Sequence, residues 1–390
     1  MIDFSIPPED QLIVDNVKRF IEREVMPLEN GLLRRGMEGG DERLTTQELR
    51  DLQKKGRAHG FWGLDTPEEY GGVGLTPLVQ ALVNEQIGRS CAGFTFGGSA
   101  MNVMYSLNQA QKEEYLIPTI NAERWGCFAL SEPGVGSDAK GIKTTAVRDG
   151  KDWIINGEKT WITGGNVADY AIVFARTSGE DDSEGMTAFL VDRSMGFTSR
   201  PIRVMATHDP ASLFFDQVRV PNRNVCGEVN KGFEWAMNFI YRNRAWILPP
   251  RNIGACERLL SMALEFAENR STFGRKLIER ENIMWMIAES EIEIRAAKLL
   301  VLNVAWQATM AMDYRHAACV VKCHVARTAN KIADHVVQIH GGMGLAKELP
   351  IERWYRDFRV ERIYEGSDEM NLATIIRNIR KGNAVIGKID

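Results

Sequence analysis

TTAVRDGKDWIINGEKTWITGG, residues 144–165, breaks the texture of the chain on either side of it. Short runs rich in β-branched and aromatic residues alternate with turn signals, and Asn156-Gly157 reads as a hairpin turn. The same texture continues through YAIVFART (170–177), MTAFLVD (186–192) and SLFFDQVRVP (212–221). Upstream the pattern is helical: in EDQLIVDNVKRFIEREVMP (9–27), Ile13, Val17, Phe20 and Ile21 recur at helical spacing, and Pro27 is expected to end the run. Downstream of about residue 229 long helical segments return, in AMNFIYRNRAWILPP, RLLSMALEFAENR, IMWMIAESEIEIRAAKLLVLNVAWQ and KIADHVVQIHGG. Helices, a compact β unit and helices again make an α+β architecture. The expected division is a helical domain over 1–122, a β domain over 123–228 and a helical domain over 229–390.

The 390 residues suffice for a large core and more than one domain. With 48 basic against 52 acidic residues, nothing points to nucleic acid as a partner. The six cysteines stand singly at 91, 127, 226, 256, 319 and 323, which suits a reducing compartment rather than a disulfide framework. The opening MIDFSIPPEDQ lacks the basic and apolar regions of a secretory signal, and no apolar run reaches spanning length. A cytoplasmic protein with no membrane insertion is expected.

Two glycine clusters invite a nucleotide reading. GVGSDA (134–139) matches G-x-G-x-x-A, but that fingerprint needs a strand before it and a helix after it. Here Pro133 precedes the glycines and a β-rich run follows, so a Rossmann site is set aside. HGGMG (340–344) ends a helical run and serves either as a helix cap or as a place where backbone approaches a ligand. His316, Cys319, Cys323 and His324 offer a metal cluster on paper, but cysteine is commonly a small core residue and no metal is expected. No Ser-His-Asp constellation is visible. By composition alone Trp161 belongs to the core.

VERIYEGSDEM (360–370) holds four carboxylates around one glycine. Gly366 should stop the helix that carries Glu361, and Ser367 or Asp368 can cap the next, with Asp368 and Glu369 at its positive end. Glu361, between Arg359 and Arg362, reads as a solvated ion-pair partner. Glu365 is left at the break between two helices, free to face a cleft.

Over nearly its full length the chain resembles the acyl-CoA dehydrogenases. PEEYGGVG (67–74) is similar to that family's N-terminal signature, and ALSEPGVGSD (129–138) with INGEKTWITGG (155–165) to its central flavin motif. NRSTFGRKL (269–277), QIHGGMG (338–344) and IYEGSDEM (363–370) follow in the family's order. The resemblance implies a helical N-terminal domain, a β-barrel-like middle domain and a C-terminal four-helix bundle. It also implies FAD as cofactor and an acyl-CoA as substrate. Electrons would pass to an electron-transfer flavoprotein, and the assembly would be a homotetramer built as a dimer of dimers.

Carried over by position, the resemblance makes Glu365 the base that removes the α proton while the β hydrogen leaves as hydride. The backbone N–H of Glu365 would help hold the thioester oxygen where enolate charge develops. Phe128, Leu130, Ser131, Gly136 and Ser137 would line the flavin, and Trp161 and Thr163 its other side, against the composition reading of Trp161. Arg270, Thr272, Phe273, Gln338, Gly341 and Gly342 would reach the FAD of a neighbouring subunit. Ser367 and Glu369 would lie toward the cofactor, but they replace the usual threonine and glutamine, and Glu369 would repel a phosphate. Ser137, Arg244, Tyr364, Gly366 and Arg377 would face the acyl-CoA. Arg244 falls one residue short of the family's arginine, and Pro249-Pro250 suggests a kink or bulge that restores the register. The competing readings are a relative with altered chemistry, such as an oxidase, an enoyl-CoA reductase or a nitroalkane-type enzyme, and a non-catalytic flavoprotein scaffold.

Overall fold

The computed structural model describes residues 2–177 and 185–389. Two compact units emerge from the way the chain packs. One comprises residues 1–65, 73–96 and 241–390, and the other residues 66–72 and 97–240.

The first unit is helical. Its main helices are α1 (Pro8–Phe20), α2 (Glu29–Met37), α3 (Thr46–Ala58), α4 (Pro77–Gly88), α5 (Leu248–Asn269), α6 (Glu281–Thr309), α7 (Arg315–His340), α8 (Ile351–Glu361) and α9 (Asp368–Arg380). Pro27 does not end the first helical run. The chain passes through a π turn (Ile21–Val25) and a 3-10 turn (Met26–Leu28) into α2. Pro27 sits at the start of that 3-10 turn, where a missing N–H costs nothing.

Helix α4 is buried on all sides. Val79, Val83 and Ile87 join one apolar cluster with Phe20, Phe61, Phe94 and Phe96, while Leu78 and Ala81 join a second with α5 to α8. Two glycines let α4 and α5 cross closely. A Cβ on Gly254 would stand 1.9 Å from the Glu85 carbonyl oxygen, and one on Gly88 2.0 Å from the Arg251 carbonyl oxygen.

The second unit is built on an eight-stranded sheet. Its strands are β1 (Gly126–Ala129), β2 (Thr145–Asp149), β3 (Asp152–Ile162), β4 (Tyr170–Arg176), β5 (Met186–Asp192), β6 (Thr198–Pro201), β7 (Ala211–Pro221) and β8 (Val225–Cys226). The order is β6-β7-β3-β2-β4-β5-β8, with β1 pairing in parallel along β4. Strands β4 and β5 are buried almost end to end and read as continuous apolar runs, as two-sided burial requires. Asn156-Gly157 is not the expected hairpin turn. It lies inside β3 at a register shift against β7, where a Cβ on Gly157 would meet Thr144 Oγ1 at 2.5 Å. That is a β-bulge with close backbone approach, the other use of a glycine in a strand. Among the described residues no helix is long and apolar enough to cross a membrane.

Candidate active site

Glu365 stands in the short turn between α8 and α9, and two distant segments converge on it. Its backbone is left-handed at φ 54°, and Gly366 follows at φ 87°. A non-glycine residue there is strained by roughly 1–3 kcal/mol and persists only if its surroundings hold it. Arg244 Nε donates to the Glu365 carbonyl oxygen. Lys322 Nζ, at 2.9 Å, and Asn371 Nδ2, at 2.8 Å, donate to that of Gly366. The left-handed backbone at Gly366 favours glycine, and a Cβ there would also displace the Arg244 guanidinium. Ser367 then caps α9 by accepting from the Met370 N–H.

The carboxylate is asymmetric. Oε1 accepts from Asn243 Nδ2 at 3.2 Å, whereas Oε2 is out of solvent and has no partner. Desolvation raises the pKa to about 7, against the opposing pull of Asn243, Arg244 and Lys322 and with the help of Glu361. The backbone N–H of Glu365 donates to no described acceptor. A carboxyl poised near neutrality, with one free oxygen and a free N–H on the same residue, is equipped to exchange a proton beside a polarised carbonyl.

The register at Arg244 is set by a π-helical turn, Asn243–Ile247, immediately before α5. Pro249 and Pro250 fall in the first turn of α5, where their missing N–H groups are tolerated. Arg244 is buried; it donates to the Glu365 carbonyl and to Cys319 Sγ, and its guanidinium lies over the Tyr241 ring, 5.3 Å from the centroid. Two of the other carboxylates differ from expectation. Glu361 is not a solvated ion-pair partner: it accepts from the Tyr364 hydroxyl at 2.7 Å, and burial raises its pKa. Asp368 is more than a helix-end charge. It is 1 % exposed and meets Arg327 Nε and Arg362 Nε at 2.9 Å each. Glu369 is exposed.

In the sheet unit the expected cofactor residues gather at the ends of β1 and β3. Lys159, fully buried, donates to the Leu130 carbonyl at 3.0 Å and to Glu132 Oε1 at 2.7 Å. Glu132 also accepts from the Lys143 and Thr144 N–H groups, and Thr160 N–H donates to the Ser131 carbonyl. Burial pulls the Lys159 ammonium down to about 8. Burial pushes Glu132 up, but Lys159 and the backbone donors outweigh it and hold its pKa low. Between Lys159 and Ile162 the pairing with β7 gains one residue, and inside that bulge Trp161 adopts φ 61°. The bulge turns Trp161 outward, 59 % exposed, with Thr163 exposed beside it. Trp161 is therefore not a core residue. Phe128 does pack inward, stacked on Phe239 at 4.6 Å.

The glycines divide by the reason for them. Gly134 and Gly341 have positive φ and need to be glycine for backbone reasons. Gly136 and Gly342 have neither a positive φ nor any heavy atom within 4 Å of an added Cβ. Nothing among the described residues requires glycine at either position. Gly136 and Ser137 are exposed in a turn between β1 and β2, with no helix of the Rossmann kind after it. Gln338, Gly341 and Gly342 are exposed at the end of α7, as is Arg377 on α9. Arg270, Thr272 and Phe273 belong to a hairpin braced by Arg280, which donates to Thr272. Phe273 is 97 % exposed with φ 52°.

Sequence reasoning missed Lys322, Lys159 and the role of Asn243. Only the lysine inside EKTW, paired with the glutamate of SEP, left a signal that could have been followed.

The chain matches the acyl-CoA dehydrogenase N-terminal domain over residues 7–123, the middle domain over 127–218 and the C-terminal domain over 230–380. It is 33% identical over 389 residues to the mitochondrial short-chain specific acyl-CoA dehydrogenase of Mus musculus, covering 95% of this chain and 90% of that protein. It is also 33% identical, over 358 residues, to the caffeyl-CoA reductase-Etf complex subunit CarC of Acetobacterium woodii, covering 86% and 93%. The structure of butyryl-CoA dehydrogenase from Megasphaera elsdenii superposes with a TM-score of 0.86 at 29% identity, over 97% of this chain and all of that one. All three domains, in order and nearly end to end, make this chain a member of the acyl-CoA dehydrogenase family.

Proposed function

We propose that the protein is an FAD-dependent oxidoreductase that removes the α and β hydrogens of an acyl-CoA thioester to give the trans-2-enoyl-CoA. The observation that carries this reading is the unpartnered, buried Oε2 of Glu365 on a carboxyl poised at about 7. Glu365 takes the α proton on Oε2 while Asn243 holds Oε1 still. The free Glu365 N–H donates to the thioester oxygen as enolate charge develops there. Bound FAD supplies the hydride acceptor for the β hydrogen. Gly136 and Ser137 are suited to hold it through close backbone approach, and Arg270 and Gly342 to reach the FAD of a neighbouring subunit, Arg270 by a charge-assisted contact. Arg244 and Lys322 keep the turn left-handed so that Oε2 and the N–H stay on station.

A second reading is enoyl-CoA reduction, the same chemistry reversed, with protonated Glu365 as the acid. A pKa near 7 populates both forms, and CarC, a reductase subunit, is as similar as the dehydrogenases. That relative works in an Etf complex, so an electron-transfer flavoprotein is the proposed electron partner. A homo-oligomer, most simply a tetramer, accounts for the exposed Phe273 and for Trp285, Ile292 and Leu299, exposed at intervals of seven along α6.

The test is anaerobic mixing of purified protein with a panel of acyl-CoAs while flavin absorbance is followed. Bleaching by saturated thioesters and release of FAD on denaturation are expected. A protein that carries no FAD, or whose flavin no thioester bleaches, overturns the reading.

A further inference from the structure

A polar network joins α4 to residues 242–251, the segment whose Asn243 and Arg244 support Glu365. Arg251, on the first turn of α5, donates Nε to Asn84 Oδ1 at 2.8 Å, and no described carboxylate lies within ion-pairing distance of it. Its neighbours are Tyr364, Asp65, Glu361 and Arg242. Each carboxylate among them already has a partner: Asp65 pairs with Arg242, and Glu361 accepts from Tyr364. Tyr364 precedes the base and feels Arg251, Glu361 and Glu365 together. Gln80 extends the network, accepting from Trp246 Nε1 at 3.0 Å and facing Arg242.

A guanidinium stays charged at any pH the fold survives. Covering one with a methylene chain removes its water and supplies nothing in return, a heavy penalty for a cation whose terminal nitrogens lack an acceptor. An oxygen on the substrate would supply that acceptor. We propose that Arg251 recognises an oxygen on the acyl part of the substrate, so that oxygenated acyl-CoAs are preferred over plain alkyl ones. The proposal rests on the reading of Glu365 as the proton-exchanging residue of an acyl-CoA oxidoreductase, since Tyr364 links Arg251 to that turn.

The test compares five-carbon thioesters that differ only at the far end: valeryl-CoA, 5-hydroxyvaleryl-CoA, 4-oxovaleryl-CoA and glutaryl-CoA. Anaerobic bleaching of the flavin in the holoenzyme gives kcat/KM for each. A hydrogen bond to a charged group is worth about 1.5–3 kcal/mol, or roughly 10- to 100-fold. At least one oxygenated thioester should exceed valeryl-CoA by about that factor, and the arm that wins identifies hydroxyl, ketone or carboxylate. In Arg251→Met the ratio should collapse toward one, whereas Arg251→Lys should retain part of it for glutaryl-CoA. The wild-type ratio decides even if the methionine variant folds poorly. Preference for valeryl-CoA in the wild type, or an oxygenated preference that survives Arg251→Met, overturns the proposal. Bleaching by none of the four, where another acyl-CoA of the panel does bleach the flavin, overturns this assignment alone; bleaching by no thioester overturns the oxidoreductase reading, and this assignment falls with it.

Discussion

Glu365 carries two opposed requirements, and both can be measured. Its pKa lies above the 4.5 of a free glutamate, at about 7, because the folded protein disfavours the ionised form. The stability it contributes is therefore full below the unfolded value and is lost as pH rises through about 7. Glu365→Gln should match the wild type in unfolding free energy near pH 4.5 and exceed it at pH 8 by on the order of 1–3 kcal/mol, measured by urea denaturation. The same variant should still bind FAD and acyl-CoA, yet bleach in single turnover at least about 10²–10⁴-fold more slowly. Wild-type bleaching by Glu365→Gln would place the proton-exchanging group elsewhere. Direction is readable from the same group. With acyl-CoA, kcat/KM should rise with pH through about 7 as the base ionises, whereas with enoyl-CoA and reduced flavin it should fall. Asp368 behaves in the opposite way. Burial pushes its pKa up, but Arg327 and Arg362 outweigh it and hold the value low, so its stability is present at neutral pH and lost only as pH drops below the usual carboxylate range. Asp368→Asn should cost about 2–3 kcal/mol, less than a fully enclosed pair because both arginines are partly solvated. A urea midpoint unchanged from wild type would contradict this.

At the scale of elements the glycines offer a controlled contrast. Gly254→Ala drives a methyl into the Glu85 carbonyl where α4 and α5 cross, and should cost at least about 2 kcal/mol or prevent folding. Gly136→Ala and Gly342→Ala meet nothing inside the protein, so circular dichroism and melting of the apoprotein should be unchanged. FAD retention during gel filtration should weaken in both. Equal retention would mean that close approach does not explain these glycines. The elements were also where sequence was most and least legible. The β texture of 144–165 and the helical runs on either side are local patterns, and they foretold the architecture. Turn chemistry was ambiguous, because Asn-Gly suits a hairpin and a bulge alike, and only the Thr144 contact distinguishes them at Gly157. Trp161 was misread by composition because a bulge reverses which face a strand residue occupies. At Glu365 the Y-E-G motif was visible, but its supports Asn243, Arg244 and Lys322 come from far along the chain and have no local signature.

For the whole molecule, assembly is the property with the clearest consequence. Phe273 stands on an exposed hairpin with strained backbone, an arrangement with no benefit to an isolated chain. If the proposed oligomer covers it, Phe273→Ser should lower the assembled fraction in light scattering and make FAD loss steeper on dilution, with the melting of each chain little changed. A wild-type monomer with full FAD occupancy would remove the basis for this expectation.

The order in which the chain leaves the ribosome gives α4 an awkward interval. Its Val79 and Val83 face can close at once on α1, α3 and the phenylalanines around position 96. Its Leu78 and Ala81 face packs with helices that begin at Leu248, after the whole sheet has been made. At ordinary rates of synthesis that delay is on the order of 10 s. For that time a finished N-terminal subassembly displays an apolar stripe with no partner. A fragment ending near residue 100 should therefore be sticky and chaperone-bound, whereas the segment 97–240, whose apolar clusters close within it, should be the part that emerges soluble.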